Sequence, residues 1–284
     1  MSLSIGQALG MSETLRTYSE SYLLDTEIIL GFVVSKTREY LRAHTEESLT
    51  KIQVKEFKRM LCKRKQGMPV AYIVGKRCFW DFELTVNESV LIPRPETELL
   101  VDFALKSISN LERAERIADL GTGSGAIAIA LARGNPECSV HAVDISRDAL
   151  EVAKTNARNL GVSNINFHEG SWCDGLPDLN FDLIVANPPY ISNNDSHLSG
   201  GGLQYEPRLA LAAEKSGYSE LNSIIQNSCN FLKKDSWLLL EHGYGQQDSV
   251  IKELERFGYS DMVRLKDYAG KDRVVAARWE ARDN

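Results

Sequence analysis

Three glycines alternate in Asp119-Leu120-Gly121-Thr122-Gly123-Ser124-Gly125-Ala126, directly after the apolar stretch Arg116–Leu120 and directly before the alanine-rich run Ala126–Arg133. A strand that must become a helix within five residues admits few folds. It is the first turn of a βαβ unit, where the glycines permit a tight bend and let a ligand approach bare backbone. Such a unit calls for a parallel sheet, and the downstream pattern supplies the strands: Val140–Asp144, Ile165–Glu169, Phe181–Ala186, Trp237–Glu241, Met262–Lys266 and Val274–Trp279. Between them lie helical stretches at Arg147–Leu160, Glu220–Leu232 and Gln247–Phe257, and Gly134, Gly161 and Gly258 stand just past three helix ends, as helix terminators do. Alternation of this kind predicts an α/β fold with helices on both faces of the sheet.

The chain upstream is different. To about Val74 it has apolar residues at helical spacing, Leu24, Ile28 and Phe32 in one stretch and Ile52, Phe57, Met60 and Leu61 in another, and no glycine-rich turns. This predicts a small helical domain. Lys51, Lys55, Glu56, Lys58, Arg59, Lys63, Arg64 and Lys65 fill the intervening faces, as on a solvated helix surface. From Ala71 to Ile92 aromatic and β-branched residues with turn signals predict a β-hairpin joining the two domains. Pro93-Arg94-Pro95-Glu96-Thr97-Glu98 then opens a helix, with proline and carboxylates in its first turn.

Each motif on the sheet's expected carboxyl edge points to a ligand. The glycine turn satisfies the dinucleotide pattern G-x-G-x-x-A and alone does not choose between a nicotinamide or flavin dinucleotide and S-adenosylmethionine. Asp144 ends the second strand about 20 residues later, where a carboxylate can accept from both hydroxyls of a ribose; Ser146 is the better placed cap for the helix that follows. Trp172, in Ser171-Trp172-Cys173-Asp174 after the third strand, can stack on or cover an adenine ring.

The deciding motif is Asn187-Pro188-Pro189-Tyr190, immediately after the apolar strand Phe181–Ala186. Two prolines remove two backbone donors and stiffen the turn. The Asn187 side-chain oxygen and the Pro188 carbonyl would form two acceptors matched to the two hydrogens of an NH2 group. A nitrogen delocalised into a carbonyl or aromatic ring is a poor nucleophile, and such a pair would orient and polarise it toward a sulfonium methyl. An NAD-dependent oxidoreductase has no use for the motif, and neither has a module that binds a cofactor without reacting. A DNA or RNA base amino-methyltransferase does.

A formal net charge of -6 argues against a broad basic face for duplex nucleic acid. The five cysteines, Cys62, Cys78, Cys138, Cys173 and Cys229, and the five histidines are scattered without ligand spacing, so no metal site is expected and the cysteines read as reduced and mostly buried. No leader-like N-terminus and no apolar run of roughly 18 residues is seen, which predicts a cytoplasmic protein without a membrane span.

Beyond the individual motifs, the chain resembles the HemK/PrmC family of peptide chain release factor N5-glutamine methyltransferases over nearly its whole length. The most specific matches are Leu91-Ile92-Pro93-Arg94-Pro95-Glu96-Thr97-Glu98, the glycine turn, Asn187-Pro188-Pro189-Tyr190-Ile191, Tyr205-Glu206-Pro207-Arg208-Leu209-Ala210-Leu211 and Leu240-Glu241-His242-Gly243. Asn-Pro-Pro-Tyr is shared with DNA amino-methyltransferases; the Pro-Arg-Pro-Glu-Thr-Glu and Glu-Pro-Arg segments discriminate. The resemblance implies a class I Rossmann-like methyltransferase domain (residues 94–284) with a seven-stranded, mostly parallel sheet, behind an N-terminal helical substrate-recognition domain (1–74) and a β-hairpin linker (75–93). It implies S-adenosylmethionine at Gly121, Thr122, Gly123, Ser124, Gly125, Asp144, Trp172 and Asn187. The glutamine of a class-one release factor would lie at Asn187, Pro188, Pro189 and Tyr190, with ribosomal-protein glutamine as a rival acceptor. One departure is Ala212-Ala213-Glu214-Lys215-Ser216-Gly217, where many members are richer in glycine; it bears on loop closure.

Overall fold

A computed structural model describes residues 3–108, 115–178, 180–193, 195, 200–213 and 217–280. It divides into two compact units: Met1–Lys76 with Ser199–Tyr205, and Arg77–Leu198 with Glu206–Asn284. The sequence alone places the segment around Leu203–Tyr205 with the rest of residues 94–284. Instead Tyr205 groups with the helices, its hydroxyl donating to the Gln66 carbonyl at 2.7 Å.

In the first unit a short strand β1 (Leu3–Ser4) leads into α1 (Ile5–Gly10), α2 (Tyr22–Val34) and α3 (Arg38–Ala43). Strand β2 (Ser48–Leu49) pairs antiparallel with β1, and α4 (Lys51–Lys65) and α5 (Val70–Val74) complete the unit. Thr50 caps α4 in a reciprocal capping box with Gln53. Two expectations of apolar spacing fail. In α2 the buried residues are Thr26, Ile29, Leu30 and Gly31 with Asp25, whereas Leu24 and Phe32 are 39% and 44% exposed. This helix is apolar on nearly all sides, so spacing could not select its inner face; the buried Asp25 does, because Arg64 of α4 reaches it at 2.7 Å. Arg64 is thereby removed from the solvated surface expected of it. In α4, Phe57, Met60 and Leu61 are buried as expected while Ile52 is 81% exposed.

A hairpin of β3 (Lys76–Phe79) and β4 (Phe82–Thr85) follows, belonging to the second unit from Arg77 on. The hairpin is shorter than the apolar pattern suggested, because Ala71–Val74 finish α5. A single tight turn, Pro95–Thr97, precedes α6 (Glu98–Ile108). Then follow β5 (Arg116–Leu120), α7 (Ala126–Gly134), β6 (Ser139–Asp144), α8 (Arg147–Asn159), β7 (Ile165–Glu169) and β8 (Phe181–Ala186). Two-residue strands β9 (Ile191–Ser192) and β10 (Ala212–Ala213) pair in parallel around the short α9 (Arg208–Leu211). The rest is α10 (Ser219–Ser228), β11 (Leu232–Glu241), α11 (Gln247–Phe257), β12 (Tyr259–Lys266) and β13 (Asp272–Trp279). Helix α10 ends four residues before the expected Leu232, which instead starts β11 opposite Phe181.

One seven-stranded sheet has the order β12-β13-β11-β8-β5-β6-β7, with β13 antiparallel to both its neighbours and the remaining pairs parallel. All six residues of β8 are buried, as a central strand covered on both faces requires. At the amino end of the sheet the buried Asp182 carboxylate accepts from the Arg116 backbone N–H at 3.0 Å and from Lys233 Nζ at 2.6 Å, joining three central strands. At the other end, chain order reverses between β5 and β8, where open α/β sheets form their ligand crevice. Of the cysteines only Cys138 and Cys173 are fully buried; Cys62 and Cys78 are exposed. No described helix is long and apolar enough to cross a membrane. Among the described residues no three metal-ligating side chains cluster. Glu214, Lys215 and Ser216 of the divergent segment lie outside the described residues.

Candidate functional site

At the carboxyl edge of β5, β6 and β8 lies a cleft of about 370 Å³, lined by Gly121, Gly123, Asp144, Trp172, Asn187 and Pro189 among others. Six residues singled out by sequence, spread over the ends of four strands, β5 to β8, therefore meet in one place. Thr122, Ser124 and Gly125 do not line it. Thr122 and Ser124 are buried, and Gly125 caps α7, where an added Cβ would stand 3.1 Å from that of Ala153. Nor is it lined by Pro188, which is buried, or by the half-buried Tyr190, which turns its hydroxyl toward Glu241.

The glycine half of the cleft is built from backbone amides. Gly123 N donates to Asp144 Oδ2 at 2.8 Å and Ser146 N donates to Oδ1 at 2.9 Å, so one carboxylate ties the turn after β5 to the start of α8. Ser146 caps that helix, accepting from Ala149 N at 3.2 Å. A carboxylate has about four acceptor positions, so Asp144 keeps lone pairs for the cleft. Burial pushes its pKa up, against the backbone N–H groups that favour its charged form.

Gly121 has φ +77°, and a Cβ there would meet the Trp172 ring at 2.9 Å; both facts exclude other residues. Trp172 itself sits at φ 49°, a costly conformation for a bulky side chain. Its indole is held over Gly121 by a 2.7 Å hydrogen bond from Nε1 to Glu220 Oε2. Glu220 lines the cleft and was not foreseen; nothing local in the sequence links it to a tryptophan 48 positions away.

Below the turn stands Asp119, fully buried. Its Oδ2 accepts from Thr122 Oγ1 at 2.7 Å and from Ala128 N at 3.1 Å, while Oδ1 has no protein partner among the described residues. Burial pushes its pKa up to about 7. Its place immediately before the glycine turn was the available signal.

The Asn187 half is built from long-range side-chain bonds. Asn187 Nδ2 donates to Thr97 Oγ1 at 3.1 Å, and the Thr97 hydroxyl donates to Glu241 Oε2 at 2.7 Å. Tyr190 Oη donates more weakly to Glu241 Oε1 at 3.4 Å. Glu241 is 1% exposed, and burial pushes its pKa up to about 7. The backbone of the same turn is held too: Gln246 Nε2 donates to the Tyr190 carbonyl at 3.2 Å, and Gly243 N donates to Gln246 Oε1 at 2.8 Å. On the rim, Arg94 meets the buried Glu206 at 2.6 Å, and Glu206 also accepts from Ile92 N at 3.1 Å. The Pro-Arg-Pro-Glu-Thr-Glu and Glu-Pro-Arg segments are thus clasped together beside Leu91 and Pro207, which line the cleft.

Comparison with known proteins agrees with this architecture. A methyltransferase domain model matches residues 111–268, and a PrmC N-terminal domain model matches residues 10–75. A methyltransferase from Pyrococcus furiosus, 16% identical, shares the fold with a TM-score of 0.53 over 78% of this chain and 98% of its own. The release factor glutamine methyltransferase of Coxiella burnetii is 42% identical over 97% of this chain and 99% of its own length. That of Salmonella typhimurium is 44% identical over 92% and 94%. Similarity of this extent, spanning both units and every motif of the cleft, shows that the chain belongs to the release factor glutamine methyltransferase family.

Proposed function

We propose that the cleft binds S-adenosylmethionine and that this protein methylates the side-chain amide nitrogen, N5, of the glutamine in the Gly-Gly-Gln motif of class-one peptide chain release factors. The observation that carries the reading is the setting of Asn187. With Nδ2 turned to Thr97, the opposite end of the amide is Oδ1, an acceptor, at the mouth of a turn whose next residues are prolines. Oδ1 and the Pro188 carbonyl suit the two hydrogens of a primary amide.

The residues present fit the cofactor. Gly123 is open, with nothing within 4 Å of where a Cβ would stand. Asp144 has acceptor capacity for a ribose diol, and Trp172 offers an aromatic wall for the base. When bound, S-adenosylmethionine supplies an electrophilic methyl group on a sulfonium leaving group. Asn187 and Pro188 hold the amide plane and accept from its N–H bonds as positive charge builds on nitrogen, which stabilises the transition state more than the ground state. Proline at 188 and 189 keeps the turn from competing for those carbonyls. Apolar Leu91, Val90, Pro189 and Leu209 around the cleft limit water access to the reacting atoms. Release factors act on the ribosome, so the proposed site of action is the cytoplasm.

Labelled S-adenosylmethionine tests the reading when offered with a class-one release factor, the same factor with the motif glutamine changed to alanine, ribosomal proteins, and duplex DNA. Label should enter the unaltered factor alone. Label in DNA, or in the glutamine-free factor, would contradict it.

A further inference from the structure

The sequence gives no reason for Thr97, and Glu241 lies 144 positions from it. Yet each lies in one of the segments that carry the family resemblance, Thr97 in Pro-Arg-Pro-Glu-Thr-Glu and Glu241 in Leu240-Glu241-His242-Gly243, and both are buried, at 3% and 1% exposure. We infer that Thr97 and Glu241 are positioning residues that fix which end of the Asn187 amide faces the substrate nitrogen. This rests on the reading of Asn187 as the acceptor for a substrate NH2 group.

The argument is one of hydrogen-bond polarity. An asparagine amide is nearly symmetric in shape, so a simple flip exchanges Oδ1 for Nδ2. In the flipped state a donor would face the substrate's own N–H groups and repel the amide that the site must hold. A threonine hydroxyl has a single hydrogen. At Thr97 that hydrogen is committed to Glu241 Oε2 at 2.7 Å, so toward Asn187 the same oxygen can only accept. Nδ2 must therefore point at Thr97, and Oδ1 must point the other way.

Glu241 suits this task in its ionised form, whose Oε2 has no hydrogen to give while its other oxygen faces the Tyr190 hydroxyl. The same strand end also secures the far side of the turn, through Gln246 and the Tyr190 carbonyl. Leu240-Glu241-His242-Gly243 thereby anchors both ends of Asn-Pro-Pro-Tyr without lining the cleft.

The test is single-turnover methylation of release factor by the full-length protein, with binding of S-adenosylhomocysteine measured alongside. Thr97→Val keeps the shape and removes the acceptor; turnover should fall about tenfold to a hundredfold while cofactor-product affinity stays within about twofold. Thr97→Ser restores the hydroxyl and should recover turnover to within about threefold of the parent. Should Thr97→Val fail to fold, Thr97→Ala set against Thr97→Ser carries the same decision. In an Asn187→Ala background, where no amide remains to orient, Thr97→Val should cost less than about twofold more; a residue that merely supports the fold would show its full effect again. Full turnover in Thr97→Val, equal losses in the valine and serine variants, or additive losses in the double variant would overturn the relay. A parent protein that transfers no methyl to release factor overturns the acceptor reading and the relay with it, whereas normal transfer with an insensitive Thr97 overturns the relay alone.

Discussion

The two halves of the cleft are held by opposite means. The glycine half is local: Asp119, Gly121, Gly123 and Asp144 lie within 26 consecutive positions, and its bonds run largely through backbone amides, such as Gly123 N and Ser146 N onto Asp144. The Asn187 half is assembled from afar: Thr97 and Glu241 come from positions 90 before and 54 after Asn187, through buried side-chain bonds. A ligand with a diol and a base needs a shaped cradle, which backbone gives. An acceptor amide needs one hydrogen-bond polarity and not its reverse, and only a directed chain of side chains supplies that.

If the division is real, substitutions in each half should change different constants. The largest effect belongs to Asn187→Ala. With one of two orienting acceptors lost, kcat should fall about a hundredfold or more with little change in S-adenosylhomocysteine affinity; a loss confined to affinity would merge the two halves. Next comes Asp144→Ala, for which calorimetric titration should show affinity for S-adenosylhomocysteine weakened by about tenfold to thirtyfold. In that variant kcat at saturating cofactor should stay closer to the parent value. Glu220→Ala frees the indole of Trp172 from its 2.7 Å anchor. The Kd should rise by a smaller factor, about threefold to fivefold, with a change in tryptophan fluorescence on binding that Asp144→Ala does not produce.

The same contrast explains what the sequence could reveal. The strands, the glycine turn, the Ser146 cap and Asp144 are readable because their causes lie within a few residues of each other: apolar runs, glycines and a carboxylate at a fixed offset. Asn187, Pro188 and Pro189 are readable because proline and asparagine carry their chemistry with them. Thr97, Glu220 and Glu241 are not, since each matters only for what a distant segment brings to it. The inner face of α2 failed for a related reason: a helix apolar all round is oriented by a partner, here Arg64 reaching Asp25. Leu232 reads as helix in sequence because apolar periodicity cannot register its pairing with Phe181. The motifs Pro-Arg-Pro-Glu-Thr-Glu and Glu-Pro-Arg stood out as family marks, but their physical connection, Arg94 to Glu206, appears only in three dimensions.

The smallest expected effect concerns stability. Asp119 and Glu241 have folded pKa values of about 7, raised by burial from ordinary values of 3.8 and 4.5. The folded protein therefore holds protons that the unfolded chain gives up. Their favourable contribution is complete below the unfolded pKa values and is lost as pH rises through about 7. Melting temperature should fall by a few degrees between about pH 5 and about pH 8, and Glu241→Gln, which cannot ionise, should flatten part of that slope. A Glu241→Gln profile parallel to that of the parent would show the carboxyl to be no more buried in effect than a surface one.

Tandem mass spectrometry of release factor after reaction tests the central claim most directly, because it reads the methylated atom group itself. The account predicts one added methyl group on the side chain of the Gly-Gly-Gln glutamine with the parent protein, and little or none with Asn187→Ala at equal cofactor saturation. A methyl group on any other residue, or equal methylation by Asn187→Ala, would contradict it.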